Sequence, residues 1–178
     1  MAVDAQPHPL STGRAVHIAL ARALSDGDPG AGAHAQPPGE TRSCLDRAAA
    51  SDSYRQLLAR PRQVEDAFAL HGYYRGVIDA WYEANQQCAV AFDWKTGAAE
   101  ARTHAHHIQR LVYALALLAH YETVSVTTVN IGPHSWPDAE ETFTRSDISQ
   151  MRRELTALSQ AYPATTSPRR QCRPARIE

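Results

Sequence analysis

The sequence predicts an α/β fold in which a small mixed β-sheet is flanked by helices. Segments 77–82 and 88–94 are short branched and aromatic runs on either side of a polar turn, the pattern of a β-hairpin. Segment 122–131 alternates apolar and polar residues as a strand does. Amphipathic segments with helical spacing precede and follow these strands, and this order of elements is typical of an α/β sandwich.

The other elements complete a single domain over residues 1–162, because 178 residues suffice for one hydrophobic core but not for two. Residues 163–178, rich in proline and arginine, are predicted to form a flexible tail. In chain order the sequence predicts a helix from Ser11 or Thr12 to Leu24, a flexible loop over 25–43, an amphipathic helix over 44–58, a strand over 63–70, the hairpin, a helix from Ala98 or Thr103 to His120, the strand over 122–131, a loop over 132–140, a short strand over 142–144 and a helix over 147–162.

Composition narrows the class of protein. The net charge of −1 argues against binding of nucleic acid through bulk charge, although it leaves room for a local arginine-lined groove. The sequence has neither a long apolar run nor a signal-peptide pattern, so we expect a soluble, cytoplasmic protein without a membrane partner. Three widely spaced cysteines do not form a disulfide framework.

The hairpin brings together three chemically active side chains. If its turn of about five residues is centred near Asn85–Gln86, Asp79 lies opposite Asp93 to within one residue. Lys95 follows Asp93 by two positions and therefore returns to the same face. The opposite face is predicted to be a core formed by Ile78, Ala80, Tyr82, Val90, Phe92 and Trp94.

Two neighbouring carboxylates on half-buried strands repel each other unless a cation lies between them. Oxygen ligands of this kind suit Mg²⁺ or Mn²⁺, and a lysine beside such a metal can orient water or stabilise charge that develops on a phosphate. The alternative is an ordinary Asp–Lys ion pair with the second aspartate at a strand end. Composition favours the chemical role, because the chain has 17 arginines and a single lysine, Lys95.

Four short motifs resemble those of a known family. Gly76-Val77-Ile78-Asp79 followed by Asp93-Trp94-Lys95-Thr96-Gly97 resembles the core of the PD-(D/E)XK nuclease superfamily, and in particular its RecB-type exonuclease branch. That branch includes the nuclease domains of RecB and AddB and the CRISPR-adaptation exonucleases. Gln109 and Tyr113 resemble its Gln-x-x-x-Tyr motif, and Gly13-Arg14-Ala15-Val16-His17 resembles its G-x-x-V-H helix. The motifs occur in the family's order between residues 13 and 113.

The resemblance implies a restriction-endonuclease-like sandwich and a set of residue roles. It implies that His17, Asp79 and Asp93 hold Mg²⁺ or Mn²⁺, with the Trp94 carbonyl as an additional ligand. Lys95 would position the attacking water and stabilise the transition state. The catalytic residues would thus be Lys95, Asp79, Asp93, Gln109 and Tyr113, the last two contacting the substrate backbone or bracing the site. The sequence offers no clear acidic residue beyond Asp79 and Asp93, so one metal ion or two are both compatible with it.

The function implied is a divalent-metal-dependent DNA nuclease, specifically an exonuclease acting on single-stranded DNA or duplex ends. Its context would be DNA processing, repair, recombination or phage-related DNA metabolism, with a helicase or recombination protein as a possible partner. One alternative is a catalytically silent nucleic-acid-binding or assembly subunit of a larger helicase–nuclease complex. Another is an unrelated metal hydrolase that acts on small phosphoesters.

The cysteines of the chain and the histidines of segment 104–107 are predicted not to bind metal. Some RecB-type relatives end in a cysteine cluster that binds an iron–sulfur centre, which needs about four thiolates. The chain has only Cys44, Cys88 and Cys172, so no iron–sulfur cluster is expected. The histidines of segment 104–107 lack a fourth zinc ligand, and a solvated helix start is the preferred interpretation.

Overall fold

A five-stranded mixed sheet lies between two layers of helices in the computed structural model, which describes residues 9–27, 39–70, 74–97, 104–133 and 137–161. The elements are α1 Pro9–Asp26, α2 Gly39–Ala50, α3 Asp52–Leu58, β1 Arg62–Leu70, β2 Tyr74–Asn85, β3 Cys88–Lys95, α4 His104–Leu117, β4 Thr123–Asn130, β5 Ala139–Thr144 and α5 Ile148–Ala161. This architecture confirms the predicted α/β class.

The strands follow the chain order β1-β2-β3-β4-β5 across the sheet. The first three form an antiparallel meander, β4 runs parallel to β3, and β5 is antiparallel to β4. A parallel pair needs a crossover connection, and α4 lies in the connection between β3 and β4. The sheet is therefore mixed, as predicted.

Each face of the sheet carries its own hydrophobic core. One core packs under α4 and α5 and contains Ile78, Ala89, Ala91, Leu111, Leu115, Leu118, Val124, Val126, Phe143, Met151 and Leu155. The other packs under α1, α2 and α3 and contains Val16, Leu20, Leu24, Cys44, Tyr54, Leu57, Ala80, Tyr82, Phe92, Trp94, Val129 and Ile131. The two cores thus pack the sheet between the helical layers.

The hairpin of β2 and β3 has nearly the predicted register but a tighter turn. Ala80 lies opposite Phe92 and Tyr82 opposite Val90, which brings Asp79 to the level of Asp93. The strands are longer than predicted, and the turn consists of residues 86–87 instead of about five residues. A register irregularity between Glu83 and Asn85 accommodates the shorter turn.

The expected grouping of Ile78 with Ala80 and Tyr82 is wrong. Ile78 belongs to the core under α4, whereas Ala80 and Tyr82 belong to the core under α1. The same change of core occurs on β1, because Val64 packs with the second core and Phe68 with the first. On both strands, the even-numbered side chains therefore face one helical layer before this point and the other layer after it.

The sequence predicted two helices before β1, with boundaries that differ from those of the three helices in the structure. Helix α1 continues to Asp26 and α2 already begins at Gly39, so the predicted 25–43 loop is too long at both ends; residues 28–38 lie outside the described ranges. The single helix predicted over 44–58 is two helices separated at Ser51. Ser51 has extended backbone, and its side chain accepts a hydrogen bond from the Tyr54 N–H, which starts α3.

The C-terminal elements are also shifted from their predicted positions. Strand β5 starts at Ala139, three residues before the predicted short strand, and α4 ends at Leu117 rather than at His120. A 3₁₀ turn over Arg145–Asp147 precedes α5, and the Asp147 side chain accepts from the Thr144 N–H. Residues 98–103 and 162–178 lie outside the described ranges, so the flexible tail and the single-domain boundaries stay predictions.

No helix among the described residues is long and apolar enough to cross a membrane. The cytoplasmic location stays a prediction.

The loop after β4 packs tightly against the end of β3. The Ile131 N–H donates to the Lys95 carbonyl at 2.9 Å. A Cβ atom added at Gly132 would lie 2.7 Å from the Thr96 carbonyl oxygen and 2.8 Å from that of Gly97. Only glycine permits this approach without moving backbone, so Gly132 fixes the position of the segment that follows Lys95.

We therefore expect Gly132→Ala to lower the free energy of unfolding by about 1–3 kcal/mol, the usual cost of overpacking. Gly39→Ala is the matched control, because an added Cβ there meets nothing within 4 Å. Urea denaturation followed by circular dichroism measures both variants. Equal stability of the two would contradict the tight approach at Gly132.

Candidate active site

Asp79 of β2 links α1 to β3. Its Oδ1 lies 3.4 Å from Nδ1 of His17, and its Oδ2 accepts a hydrogen bond from the Trp94 N–H at 2.9 Å. The hydrogen bond with Asp79 raises the pKa of His17, against the opposing effect of burial. Helix α1 also lies close to the segment after β3, since a Cβ added at Gly13 would lie 3.0 Å from Oγ1 of Thr96. The helix and the strand thus meet at the pair formed by His17 and Asp79.

Asp93 is fully buried, with 0% of its surface exposed. Its Oδ1 accepts a hydrogen bond from Nζ of Lys95 at 2.8 Å. Its Oδ2 is buried and has no hydrogen-bond partner among the described residues. Burial raises the pKa of Asp93 to about 6, although the positive charge of Lys95 opposes this rise. The carboxylate therefore has one oxygen that a cation can satisfy.

A chain of hydrogen bonds holds Lys95 in place. Its Nζ donates to Oε1 of Gln109 at 2.7 Å, and Nε2 of Gln109 donates to the Tyr113 hydroxyl at 2.8 Å. Tyr113 in turn donates to the Val77 carbonyl at 2.8 Å, two residues before Asp79. Burial raises the pKa of Tyr113 above its ordinary value, so the phenol keeps the proton that it donates. The chain ties α4 to both β2 and β3.

Glu65 of β1 joins the site and was missed by sequence analysis. One carboxylate oxygen of Glu65, one oxygen of Asp79 and one ring nitrogen of His17 all lie within 4.8 Å of one another. The Glu65 side chain is exposed at the surface of the sheet. Its partial desolvation and the negative charge of Asp79 raise the pKa of its carboxyl, and the charge of His17 opposes this rise. No local sequence pattern marks Glu65, because its place in the site follows from the register of β1 against β2, with Val64 opposite Ala80 and Asp66 opposite Ile78.

The described residues that were predicted to form the site converge around the C-terminal end of β3. His17, Asp79, Asp93, Lys95, Gln109 and Tyr113 are linked through the contacts above. The Trp94 side chain is only 2% exposed and lies in the core, so this residue faces the site through its backbone. A cleft of about 180 Å³ opens beside them, lined by His17, Trp94, Lys95, Thr96, Gly97 and His106.

The donor set fits a divalent cation. Carboxylate oxygens and a single imidazole, without thiolates, are the ligands of Mg²⁺, Mn²⁺ and related ions. The unpartnered Oδ2 of Asp93 adds a buried oxygen at the same level of the sheet. Lys95, the only amine side chain, lies at the wall of the cleft. This arrangement of carboxylates and one amine can activate water and stabilise charge on a phosphate.

The neighbouring histidines have other environments. His107 contacts Glu154 at 2.7 Å and Glu141 at 3.3 Å, so the expectation of a solvated side chain is wrong at this position. These contacts join α4 to β5 and α5. The side chain of His104 and residue Cys172 lie outside the described parts, and the absence of an iron–sulfur cluster stays a prediction. Cys44 is buried in the core.

The sequence profile of the PD-(D/E)XK nuclease superfamily matches residues 2–174. The fold and this match define a nuclease of the restriction-endonuclease-like class, whose members use divalent metal ions. The chain belongs to the PD-(D/E)XK nuclease superfamily.

Among solved structures, one described as "Crystal structure of SSO0001" is similar to this chain with 14% sequence identity and a TM-score of 0.35, covering 87% of this chain and 77% of that chain. No curated protein matches the sequence.

The hydrogen-bond chain predicts that Tyr113→Phe is destabilising. Tyr113 is only 4% exposed, and the substitution leaves the Val77 carbonyl and the Gln109 amide without their hydroxyl partner. Loss of such a hydrogen bond costs about 1–3 kcal/mol where the remaining groups are shielded from water. Tyr121→Phe is the matched control, because its hydroxyl bonds the exposed Glu83. Chemical denaturation should give a clearly larger loss for Tyr113→Phe. If Tyr113→Phe lost no more unfolding free energy than the control, the hydrogen bonds through Gln109 and Tyr113 would not be what holds Lys95.

Proposed function

We propose that the protein is a divalent-metal-dependent deoxyribonuclease of the RecB-like type that hydrolyses phosphodiester bonds from DNA ends. One observation carries the proposal: the buried Asp93, its partner Lys95 and the Asp79–His17 pair meet beside a single cleft. The complete set of carboxylates and amine argues against a catalytically silent subunit. The preference for an exonuclease and for a helicase or recombination partner rests on the RecB-like motifs.

In the proposed mechanism, His17, Asp79 and Asp93 would hold Mg²⁺ or Mn²⁺, with the Trp94 carbonyl as an additional ligand. A divalent cation supplies Lewis-acid stabilisation of the scissile phosphate and makes a water more acidic at neutral pH. The free Oδ2 of Asp93 supports its inclusion, because a buried carboxylate oxygen without a partner is costly. Asp79 has oxygens directed at both His17 and the β3 backbone, which orients its carboxylate before any ion arrives.

Lys95 orients the attacking water and stabilises the negative charge that builds up on the phosphate oxygens. Its side chain is 22% exposed and lines the cleft, so it can contact a substrate there while remaining bonded to Asp93 and Gln109. Two fixed acceptors restrict the amine to one geometry, which lowers the cost of positioning it during the reaction. Gln109 and Tyr113 act as positioning residues, because their polar groups bond Lys95, each other and Val77.

The metal ligands give the first prediction of this proposal. Mg²⁺ or Mn²⁺ should raise the melting temperature with concentration, since an ion that binds only the folded state stabilises it. Asp79→Asn should abolish most of this rise, because it removes a charge at nearly constant volume. Differential scanning fluorimetry measures the shift, with the exposed Asp46→Asn as the control that keeps it. An unchanged shift in Asp79→Asn would exclude Asp79 as a ligand.

The role of Lys95 gives the second prediction. Lys95→Arg keeps the charge but spreads it over a wider planar group, and a displacement of about 1 Å can reduce the rate on the order of 100-fold. We expect a folded variant that binds metal and DNA but loses nearly all cleavage. Arg42→Lys makes the reverse exchange in an exposed ion pair and should cleave normally.

Linear, nicked and closed circular DNA with Mg²⁺ or Mn²⁺ are the substrates for this experiment. Wild-type protein should degrade the linear form and spare the closed circle, as an exonuclease does. Cleavage of the closed circle would identify an endonuclease instead. If Lys95→Arg cleaved DNA at nearly the wild-type rate, Lys95 would have only a structural role.

A further inference from the structure

Glu65 occupies an unusual position in the sheet. The pairs Val64–Ala80 and Asp66–Ile78 flank it, so Glu65 lies directly across from Asp79 although the ladder is interrupted at this level. Its backbone φ is +52°, in the left-handed region that is uncommon for residues other than glycine. Glu65 is the only such non-glycine residue among the described parts of the chain. A strained residue persists where the surrounding structure determines its conformation, and such residues cluster at functional sites.

The gap in the β1–β2 ladder at Glu65 and Asp79 lies where the side chains of both strands switch from one hydrophobic core to the other. Val64 and Ala80 pack in the core under α1, whereas Phe68 and Ile78 pack in the core under α4. Trp81 and Asp66 also share a side, since the indole N–H donates to Oδ2 of Asp66 at 2.9 Å. The left-handed conformation at Glu65 lies at the point where this change occurs on β1. It leaves the Glu65 carboxylate beside Asp79 and His17 rather than within either core.

Among the described residues, His17 is the one basic side chain in contact with the carboxylates of Glu65 and Asp79. No arginine or lysine of the described residues forms an ion pair with Glu65 or with Asp79. Like charges directly opposite each other on neighbouring strands destabilise a sheet. His17 is the ion-pair partner of Asp79. The buried, unpartnered Oδ2 of Asp93 adds another acceptor oxygen at the level of Asp79 in the sheet. The site therefore has more acceptor oxygens than donors, which is the electrostatic condition for holding a cation.

We infer that Glu65 is a further ligand of the divalent cation, supplied by β1 on the side of Asp79 where His17 lies. This inference rests on the proposed function. Glu65 extends the ligand set to three strands and one helix, and it provides the acidic residue beyond Asp79 and Asp93 that the sequence did not reveal. The interrupted ladder of β1 is the structural device that brings it there.

Binding of Mn²⁺ alone to the full chain tests the role of Glu65, measured by isothermal titration calorimetry and by electron paramagnetic resonance of the free ion. Glu65→Gln removes the charge and keeps the size. Loss of an outer-shell partner alone weakens metal binding about 10–100-fold, so loss of this ligand should raise the Kd for Mn²⁺ by roughly tenfold or more. Glu140→Gln is the matched control, since Glu140 is exposed on the far edge strand β5, and its Kd should equal that of the wild type.

A second variant separates the charge of Glu65 from its backbone conformation. Glu65→Gly accepts the positive φ without strain and should weaken Mn²⁺ binding as Glu65→Gln does. In the absence of metal, neither variant should melt below the wild type, because both remove a carboxylate that repels Asp79. A lower melting temperature of metal-free Glu65→Gln, together with an unchanged Kd, would assign Glu65 a structural role and overturn the inference.

The outcomes also separate this inference from the proposed function. If Asp79→Asn loses Mn²⁺ binding and Glu65→Gln keeps the wild-type Kd, only the role of Glu65 is overturned. If the wild type itself binds no Mn²⁺, the metal site as a whole is overturned, and Glu65 with it. Weakened binding in both variants, with normal binding in Glu140→Gln, supports both.

Discussion

The buried ion pair between Asp93 and Lys95 is the interaction on which the rest of this structure depends. A carboxylate with no exposed surface is costly to bury, and breaking such a pair by removing one partner is strongly destabilising. The lysine that compensates it must be held, and Gln109 and Tyr113 hold it by bonds that end on β2. The hydrogen bonds that run from Asp93 through Lys95 and α4 to β2 thus link the position of this helix to the geometry of the cleft.

Much of the site could be predicted because its signals are local. The period of two along β3 puts Asp93 and Lys95 on one face, and the helical spacing of four aligns Gln109 with Tyr113 on α4. The hairpin register then followed from a polar turn between two apolar runs, and it held although the turn is shorter than expected. The match of His17 to Asp79 came only from the motif resemblance, since no local pattern relates a helix near the start of the chain to the second strand.

The parts that were not predicted depend on long-range geometry. The exposure of β1 and β2 alternates regularly, with the even-numbered residues turned inward, but the layer that they face changes between Val64 and Asp66 and between Ile78 and Ala80. A strand whose side chains switch layers and a strand whose side chains do not both show the same alternation of apolar and polar residues. A glutamate with positive φ has no sequence signature either. The break between α2 and α3 was visible in principle, because serine is a favoured N-cap, but a serine inside an amphipathic run is equally compatible with one continuous helix.

The single lysine of this nuclease has a practical consequence for chemical labelling. Reagents that acylate or reductively methylate amines would modify Lys95 and the terminal amine alone, because all other cationic side chains are guanidinium or imidazole groups. Lys95 is partly accessible from the cleft and bonded to a carboxylate, so its reactivity reports directly on whether that bond is intact. Reductive methylation with an isotope-labelled reagent would place a spectroscopic probe in the site without mutating the chain, and the terminal amine would give the one other labelled signal.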